Sequence, residues 1–207
     1  MTFLQQLKRI LPSRRQTVPI FPLNAVLFPG GVLPLKVFEQ RYIDMVKYCL
    51  KDNSVFGICL IREDQNAGAK AVPEPVGCIA RILDWNMEQP ELLQLRVQGE
   101  SRFRIVDSGA GNNGVIAASV ETLSADTAMA IPASLAGCAD LVRKVVASVG
   151  AASFAEPYLF EDASWVGNRL AEFLPIKIAA KQKLMELSDP IARLEILAQF
   201  LAQQGLL

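Results

Sequence analysis

The sequence predicts an α+β protein, with a β-rich first part over residues 16–123 and an α-helical second part over residues 132–207. The first part consists of short β-branched or alternating apolar runs between Gly/Pro-rich loops, without a repeated βαβ pattern. From Leu135 onward, apolar residues recur instead at gaps of three and four. The segment 123–132, rich in Ser, Ala, Asp and Thr, marks the boundary. About six short strands with one inserted helix favour a small antiparallel barrel or sandwich for the first part.

The β-rich part opens with an almost wholly apolar segment, Val18–Leu50, that prolines interrupt. Proline fixes φ and has no N–H donor, so short extended pieces joined by turns are predicted here rather than one helix or a central strand. Gly30-Gly31 predicts a tight turn. Residues 32–37 are predicted to form a strand, which Pro34 places at a sheet edge or a bulge.

A helix is predicted directly after this strand, because apolar residues from Tyr42 to Cys49 recur with helical spacing. Phe38 lies one turn before Tyr42, and Glu39 and Arg41 lie beside it. We interpret Phe38 as a hydrophobic plug and Glu39/Arg41 as an ion pair that fixes the corner between strand and helix.

Three further strands are predicted at 54–62, 78–85 and 114–122. Alternating residues at 93–97 and 102–105 flank Gly99-Glu100, which predicts an antiparallel hairpin that turns at this dipeptide. The glycine-rich stretch 109–114 joins two β-type segments and does not open a helix. A hairpin loop is therefore predicted there rather than a phosphate site.

After the helix that starts at Leu135, three more helices are predicted at 163–174, 176–187 and 190–204. Asp189 supplies an N-cap oxygen and Pro190 is favoured at the first helical position. Gly205 ends the last helix. Residues 1–15 form an N-terminal extension, predicted to be a surface helix with a basic cluster; a membrane-surface anchor is the alternative.

The composition excludes several classes of function. The 21 basic side chains balance 21 acidic ones, so no net field attracts nucleic acid or an anionic membrane. The chain has no histidine, which excludes imidazole catalysis and imidazole metal sites. The four cysteines are irregularly spaced and are expected to be reduced core thiols. No metal or cofactor site is predicted, and the absence of a signal sequence or long apolar span predicts a cytoplasmic protein.

Four motifs occur in a characteristic order: PIFPLNAVLFPGGVLPLKVFEQRY at 19–42, VGCIARI at 76–82, VQGESRFRI at 97–105 and LMELSDPIARLEIL at 184–197. Together they resemble the amino-terminal, substrate-binding domain of the Lon (La) protease family, also found as stand-alone Lon-domain proteins. The resemblance implies a PUA-like antiparallel pseudo-barrel with an inserted helix, followed by a helical subdomain. The residues that carry this structural motif are Pro22, Leu23, Pro29, Gly30, Phe38, Glu39, Arg41, Tyr42, Asp189 and Pro190.

The sequence predicts a protein that is not an enzyme. It has no G-x-x-x-x-G-K-[ST] and no counterpart of the family's Ser–Lys proteolytic segment. The resemblance implies a non-catalytic module that binds unfolded or hydrophobic polypeptide segments, or a protein partner. Aromatic residues in loops are candidate contacts, although residues 154–165 could equally cover the helical part. The candidate contact residues are Phe28, Pro29, Phe154, Tyr158, Phe160 and Trp165.

RNA binding is the alternative, because PUA-like barrels often bind RNA. Phosphate contacts need clustered basic side chains, and the zero net charge argues against them. Only Arg81, Arg96, Arg102 and Arg104 could form a basic strip. A small-molecule site built from a tryptophan cage is not indicated, since the chain has only two tryptophans.

Overall fold

A computed structural model describes residues 15–62, 72–89, 91–111, 113–150 and 153–207. The strands are β1 (Arg15–Leu23), β2 (Val32–Val37), β3 (Phe56–Leu60), β4 (Val76–Gln89), β5 (Leu92–Ala110) and β6 (Ile116–Thr122). The helices are α1 (Gln40–Lys51), α2 (Ala136–Val149), α3 (Ala163–Phe173), α4 (Ile178–Glu186) and α5 (Pro190–Gln203), and a short 3₁₀ turn precedes α2. The predicted α+β class is confirmed. The predicted N-terminal helix falls almost wholly on residues 1–14, outside the described residues.

One mixed sheet contains all six strands, in the order β2-β5-β4-β3-β1-β6. Among the paired strands of the described residues, only β1 and β3 run parallel. The second half of β5 also pairs with β6, so β1, β3, β4, β5 and β6 form a ring of hydrogen-bonded neighbours. β2 lies outside this ring and pairs with β5, which confirms the edge position predicted from Pro34.

The prediction that the prolines exclude a central strand is wrong for β1. This strand pairs with β6 over Arg15–Ile20 and with β3 over Ile20–Leu23. Pro19 lies where β1 pairs with β6 alone, and Pro22 lies where it pairs with β3 alone. Each missing N–H therefore falls where the strand is bonded on one side only, as at a sheet edge.

The prediction of a hairpin at Gly99-Glu100 is also wrong. β5 is one strand of 19 residues that runs through Gly99, and the chain reverses instead between Gln89 and Leu92. A glycine inside a strand also marks a place where another backbone approaches closely. At Gly99 that backbone belongs to the turn before β2. The hairpin loop predicted at 109–114 is confirmed, because it joins β5 to β6.

The helices pack against the sheet on two sides. α1 covers one face, where Phe21 stacks on Tyr42 with ring centroids 4.3 Å apart. α2 to α5 share a second core, to which the β-rich part contributes Phe28 and Val76. Asp189 caps α5, accepting hydrogen bonds from the backbone N–H groups of Ile191 and Ala192 at 2.9 and 3.0 Å, and Pro190 follows it as predicted. No helix in the described part of the chain is long and apolar enough to cross a membrane.

The corner between β2 and α1 is only partly as predicted. Glu39 and Arg41 form the expected ion pair at 2.7 Å, and Arg41 also donates to the carbonyl of Gly114. Phe38, however, is 71% exposed and is not a plug. Strand alternation explains this, because Val37 points into the core and the next residue must point away from it.

Candidate functional site

Two of the sequence motifs meet where the turn before β2 crosses β5. The N–H of Gly30 donates to the carbonyl of Gly99 at 2.8 Å, and the N–H of Gly99 donates to the carbonyl of Gly31 at 2.9 Å. A Cβ atom on Gly99 would lie 2.1 Å from the carbonyl oxygen of Phe28. Gly30 has a φ of +73°, which favours glycine. The glycines thus permit a backbone contact that no larger residue allows.

Helix α3 holds this turn from the helical side. Arg169 is buried; its Nη2 donates to the carbonyl of Pro29 at 2.9 Å and its guanidinium pairs with Glu172 at 2.8 Å. A Cβ atom on Gly31 would lie 2.0 Å from Oε1 of Glu172. The Arg169–Glu172 pair therefore fixes the turn to the helices.

A second polar contact joins β5 to the helices. Asp126 accepts from Arg102 at 2.5 Å, from Arg193 at 2.8 Å and from the hydroxyl of Ser164 at 3.0 Å. Arg102 also donates to the carbonyl of Leu187, between α4 and α5, at 3.0 Å. These three charged side chains are almost wholly buried, so the cluster connects the sheet, the 123–132 segment and the helices in a low-dielectric environment.

A groove of about 450 Å³ lies beside the turn, between the β1–β2 loop and the α3–α4 connection. We call it the seam groove. Its apolar walls include Val26, Leu27, Leu33, Phe173, Ile176 and Ile178. Glu172 and Lys181 are its ionisable residues. Sequence reasoning missed this groove, although the Arg169/Glu172 spacing of three on a predicted helix indicated a paired charge on one face.

Burial shifts the pKa values of the two ionisable groups of the seam groove in the directions that favour their uncharged forms. It raises the pKa of Glu172 to about 7, against the opposing effects of Arg169 and Lys181. Burial lowers the pKa of Lys181, and the nearby Glu172 opposes that change. Lys181 donates to the backbone carbonyl of Glu172 at 2.7 Å. Ionisable groups with perturbed pKa values in a cleft are characteristic of functional sites, and the seam groove holds two such groups.

The raised pKa of Glu172 predicts how stability depends on pH. Between about pH 4.5 and pH 7 the folded protein keeps a proton on Glu172 that the unfolded chain has released. The free energy of unfolding should therefore fall with rising pH in this window, by up to about 1.4 kcal/mol per pH unit from this group. Glu172→Gln, which cannot ionise, should remove that part of the slope. Urea unfolding of both proteins across this range measures it, and identical slopes would contradict the prediction.

The predicted aromatic contacts lie mostly inside the protein. Phe28, Phe154 and Trp165 are buried, which argues against these three candidate residues as direct contacts for a partner. Tyr158 and Phe160 are half-buried and pack with Trp165, with ring centroids 5.2 to 6.2 Å apart. Their packing against the helical core supports the alternative, a cover over the helices. Phe28 is buried because the Gly30 and Gly99 hydrogen bonds fold the turn inward.

Pro29, the remaining candidate contact, is partly exposed, and its carbonyl accepts from Arg169. Direct contact of Pro29, Tyr158 or Phe160 with a partner stays a prediction.

The arginines that could have formed a basic strip are mostly neutralised. Arg81 pairs with Glu100, Arg96 pairs with Asp84 at 2.9 Å, and Arg102 is buried. Among these four residues only Arg104 is exposed without an acidic partner in the described part of the chain. These four arginines therefore do not form the basic strip that contacts with phosphate would need.

The cysteines are buried and unbonded, which confirms that they are core thiols. Burial raises the pKa of Cys59 to about 12 and that of Cys78 still further. The thiolate is the reactive form of cysteine. Neither thiol is thus prepared to act as a nucleophile at neutral pH.

The fold and the polar contacts between sheet and helices define a class of protein. It is an α+β domain in which a mixed six-stranded sheet is joined to a helical unit through buried polar contacts. The family model of the ATP-dependent protease La (LON) substrate-binding domain matches residues 17–203. The chain belongs to this family, which confirms the resemblance of the four motifs.

Known relatives agree with this assignment. The chain is 30% identical to Lon protease 2 of Myxococcus xanthus over 90% of its own length and 29% identical to the Lon protease of Anaeromyxobacter dehalogenans over 89%. It spans about 23% of the length of each of these relatives. A crystal structure of a Lon N-terminal domain protein from Xanthomonas campestris superposes with a TM-score of 0.73 at 32% identity, covering 89% of this chain and 98% of that one. The N-terminal domain of a Mycobacterium avium complex Lon protease has the same fold, with a TM-score of 0.64 at 16% identity over 90% and 98% of the two chains.

Proposed function

We propose that this protein is a non-catalytic module that binds unfolded or hydrophobic polypeptide segments. The observation that carries the proposal is membership, over residues 17–203, in a family defined as a substrate-binding domain. The substrates of a Lon protease are polypeptides, so binding here means holding a polypeptide segment. The chain matches about 23% of its full-length relatives, and the proposal assigns it recognition without ATP hydrolysis or proteolysis.

The seam groove is the proposed contact for a bulky apolar side chain of the bound segment. Its volume of about 450 Å³ lies within the range of about 300–1,000 Å³ that ligand pockets have. Its walls are mostly apolar, and Glu172 and Lys181 can accept from or donate to the backbone of the segment. The pKa of Glu172, which burial raises to about 7, leaves this carboxyl partly protonated near neutral pH, and this lowers the cost of covering it with apolar groups.

We further propose that the ring of paired strands is a PUA-like pseudo-barrel and that the chain divides into units over 16–123 and 132–207. The pairing of β6 with both β1 and β5 supports the first point. The separate apolar cores, one beneath α1 and one among α2 to α5, support the second.

Fluorescence anisotropy of a labelled, permanently unfolded polypeptide tests the proposed function. We expect saturable binding with an apparent Kd on the order of 10 µM, about −7 kcal/mol, and little dependence on salt. Ile176→Asp in the seam groove should weaken it by at least about tenfold, or 1.4 kcal/mol. Ile196→Asp, at an exposed position on α5, is the matched control and should bind as the wild type does.

Two results would overturn this proposal. One is failure of any unfolded polypeptide to bind. The other is retention of a labelled single-stranded RNA that weakens steeply with salt, which would favour the nucleic-acid alternative.

A further inference from the structure

The outer half of β4 is a free strand edge. Its ladder with β3 ends at Ala80, whereas its ladder with β5 continues to Gln89. Along Arg81–Gln89, one side of the strand therefore has no backbone partner among the residues that the structure describes. Unpaired N–H and C=O groups along a strand edge are a template for another extended chain.

The apolar face of the sheet extends to this edge. Leu35 of β2, Leu95 of β5 and Trp85 of β4 are paired in one row across three strands. Directly opposite residues share a face, so Trp85 continues the row that begins in the core. The first two side chains are buried, but Trp85 is 55% exposed, and Met87, two residues along, is also exposed. An added strand would bring apolar side chains onto this surface.

The tip of the same hairpin is acidic. Glu88 lies near the end of β4 and Glu91 follows it in the turn, and neither forms an ion pair with any described residue. Asp84 is paired with Arg96, and Arg81 with Glu100. The free charge along this edge is thus negative, which is complementary to a basic residue in a bound segment.

We propose that the Arg81–Gln89 edge of β4 binds an extended polypeptide segment, in which apolar and basic side chains alternate, as an additional strand. The inference rests on the proposed function and adds a second contact to the seam groove. Main-chain hydrogen bonds supply affinity that tolerates many sequences, and Trp85 and Met87 select apolar side chains. Register shifts at Ile82/Asp84 and Asn86/Gln89 bend the edge. A flexible peptide follows such an edge, whereas a second rigid copy with the same bulges and the same negative charge does not pair along it.

The probe is a fluorescein-labelled peptide of about nine residues, the length of the Arg81–Gln89 edge, in which Val and Leu alternate with Lys. A second peptide of the same sequence carries N-methyl groups on consecutive amides, which removes donors from both of its edges, so it keeps its side chains but cannot complete the strand pairing. We expect N-methylation to weaken binding by at least about tenfold, and Trp85→Ala to do the same. Ile196→Ala, which removes an equally exposed apolar side chain from α5, is the control and should leave binding unchanged.

A charge test keeps the proposal falsifiable if Trp85→Ala disturbs the fold. Glu88→Lys combined with Glu91→Lys changes only exposed side chains. This double variant should bind the lysine peptide more weakly than the wild type does, and it should bind a peptide with Glu in place of Lys more tightly.

The outcomes separate this inference from the proposed function. If the long unfolded polypeptide binds but N-methylation and both variants leave peptide binding unchanged, the proposal for the β4 edge is wrong and the proposed function stands. If no polypeptide binds, both fail. A concentration-dependent dimer in analytical ultracentrifugation that Trp85→Ala abolishes would assign the edge to a second copy and overturn the proposal.

Discussion

Replacing Asp126 with Ala should lower the free energy of unfolding by about 3–5 kcal/mol, because it removes one partner from a buried group of charges. Arg102 and Arg193 have side chains only 3% and 1% exposed, and among the described residues Asp126 is the one carboxylate that forms an ion pair with both. Without it, two guanidinium groups lie close together in a low-dielectric interior, and their remaining partners among the described residues are carbonyl oxygens. The hydroxyl of Ser164 loses its acceptor as well.

Urea unfolding of Asp126→Ala beside Asp140→Ala measures this effect. Asp140 also pairs with an arginine, Arg143 at 2.9 Å, but its side chain is 65% exposed. Exposed pairs contribute about 0–1 kcal/mol, so this control should change little. Asp126→Asn keeps one acceptor oxygen without the charge, so its loss of unfolding free energy should lie between those of Asp126→Ala and Asp140→Ala. Equal and small losses in all three variants would show that the cluster contributes nothing beyond an exposed pair.

The sequence predicted most elements whose signal is local. β2 and α1 follow from strand alternation that changes to helical spacing at Phe38, and α5 follows from Asp189-Pro190. Those signals depend on residues within one or two turns of the element itself. The same information could not place Phe38, since its exposure depends on which face of β2 the rest of the sheet covers.

The errors arose where distant parts of the chain determine the structure. Pro19 and Pro22 are tolerated in β1 because β6 and β3 pair with different halves of that strand. Arg102 was grouped with Arg104 on sequence alternation, yet Arg102 is buried and donates to the carbonyl of Leu187, whereas Arg104 is exposed. The seam groove depends on Glu172 lying against Gly31, which are far apart in sequence. The motifs of the chain were therefore visible, but the contacts that explain them were not.

Substitution of Gly99 tests whether the motifs at 19–42 and 97–105 depend on the backbone contact between Gly99 and the Gly30-Gly31 turn. Gly99→Ala should cost about 3 kcal/mol, because a Cβ atom there would lie 2.1 Å from a backbone oxygen of Phe28, and overpacking against backbone forces main-chain shifts. Displacing the turn would also strain the two hydrogen bonds between Gly99 and the Gly30-Gly31 turn. The contact of Arg169 with Pro29 should weaken with them, since it depends on the same turn.

Gly109→Ala is the matched control. Gly109 lies in the same strand, β5, and a Cβ atom there has no neighbour within 4 Å. Exposed substitutions of this kind are usually within about 0.5 kcal/mol of the wild type. Urea unfolding midpoints of the two variants measure the difference in their stability. Amide hydrogen exchange at Gly30 should become faster in Gly99→Ala alone, because the N–H of Gly30 donates to the carbonyl of Gly99. If both alanines were tolerated equally, Gly99 would not be required by the crossing backbone, and the turn would be held by the helices alone.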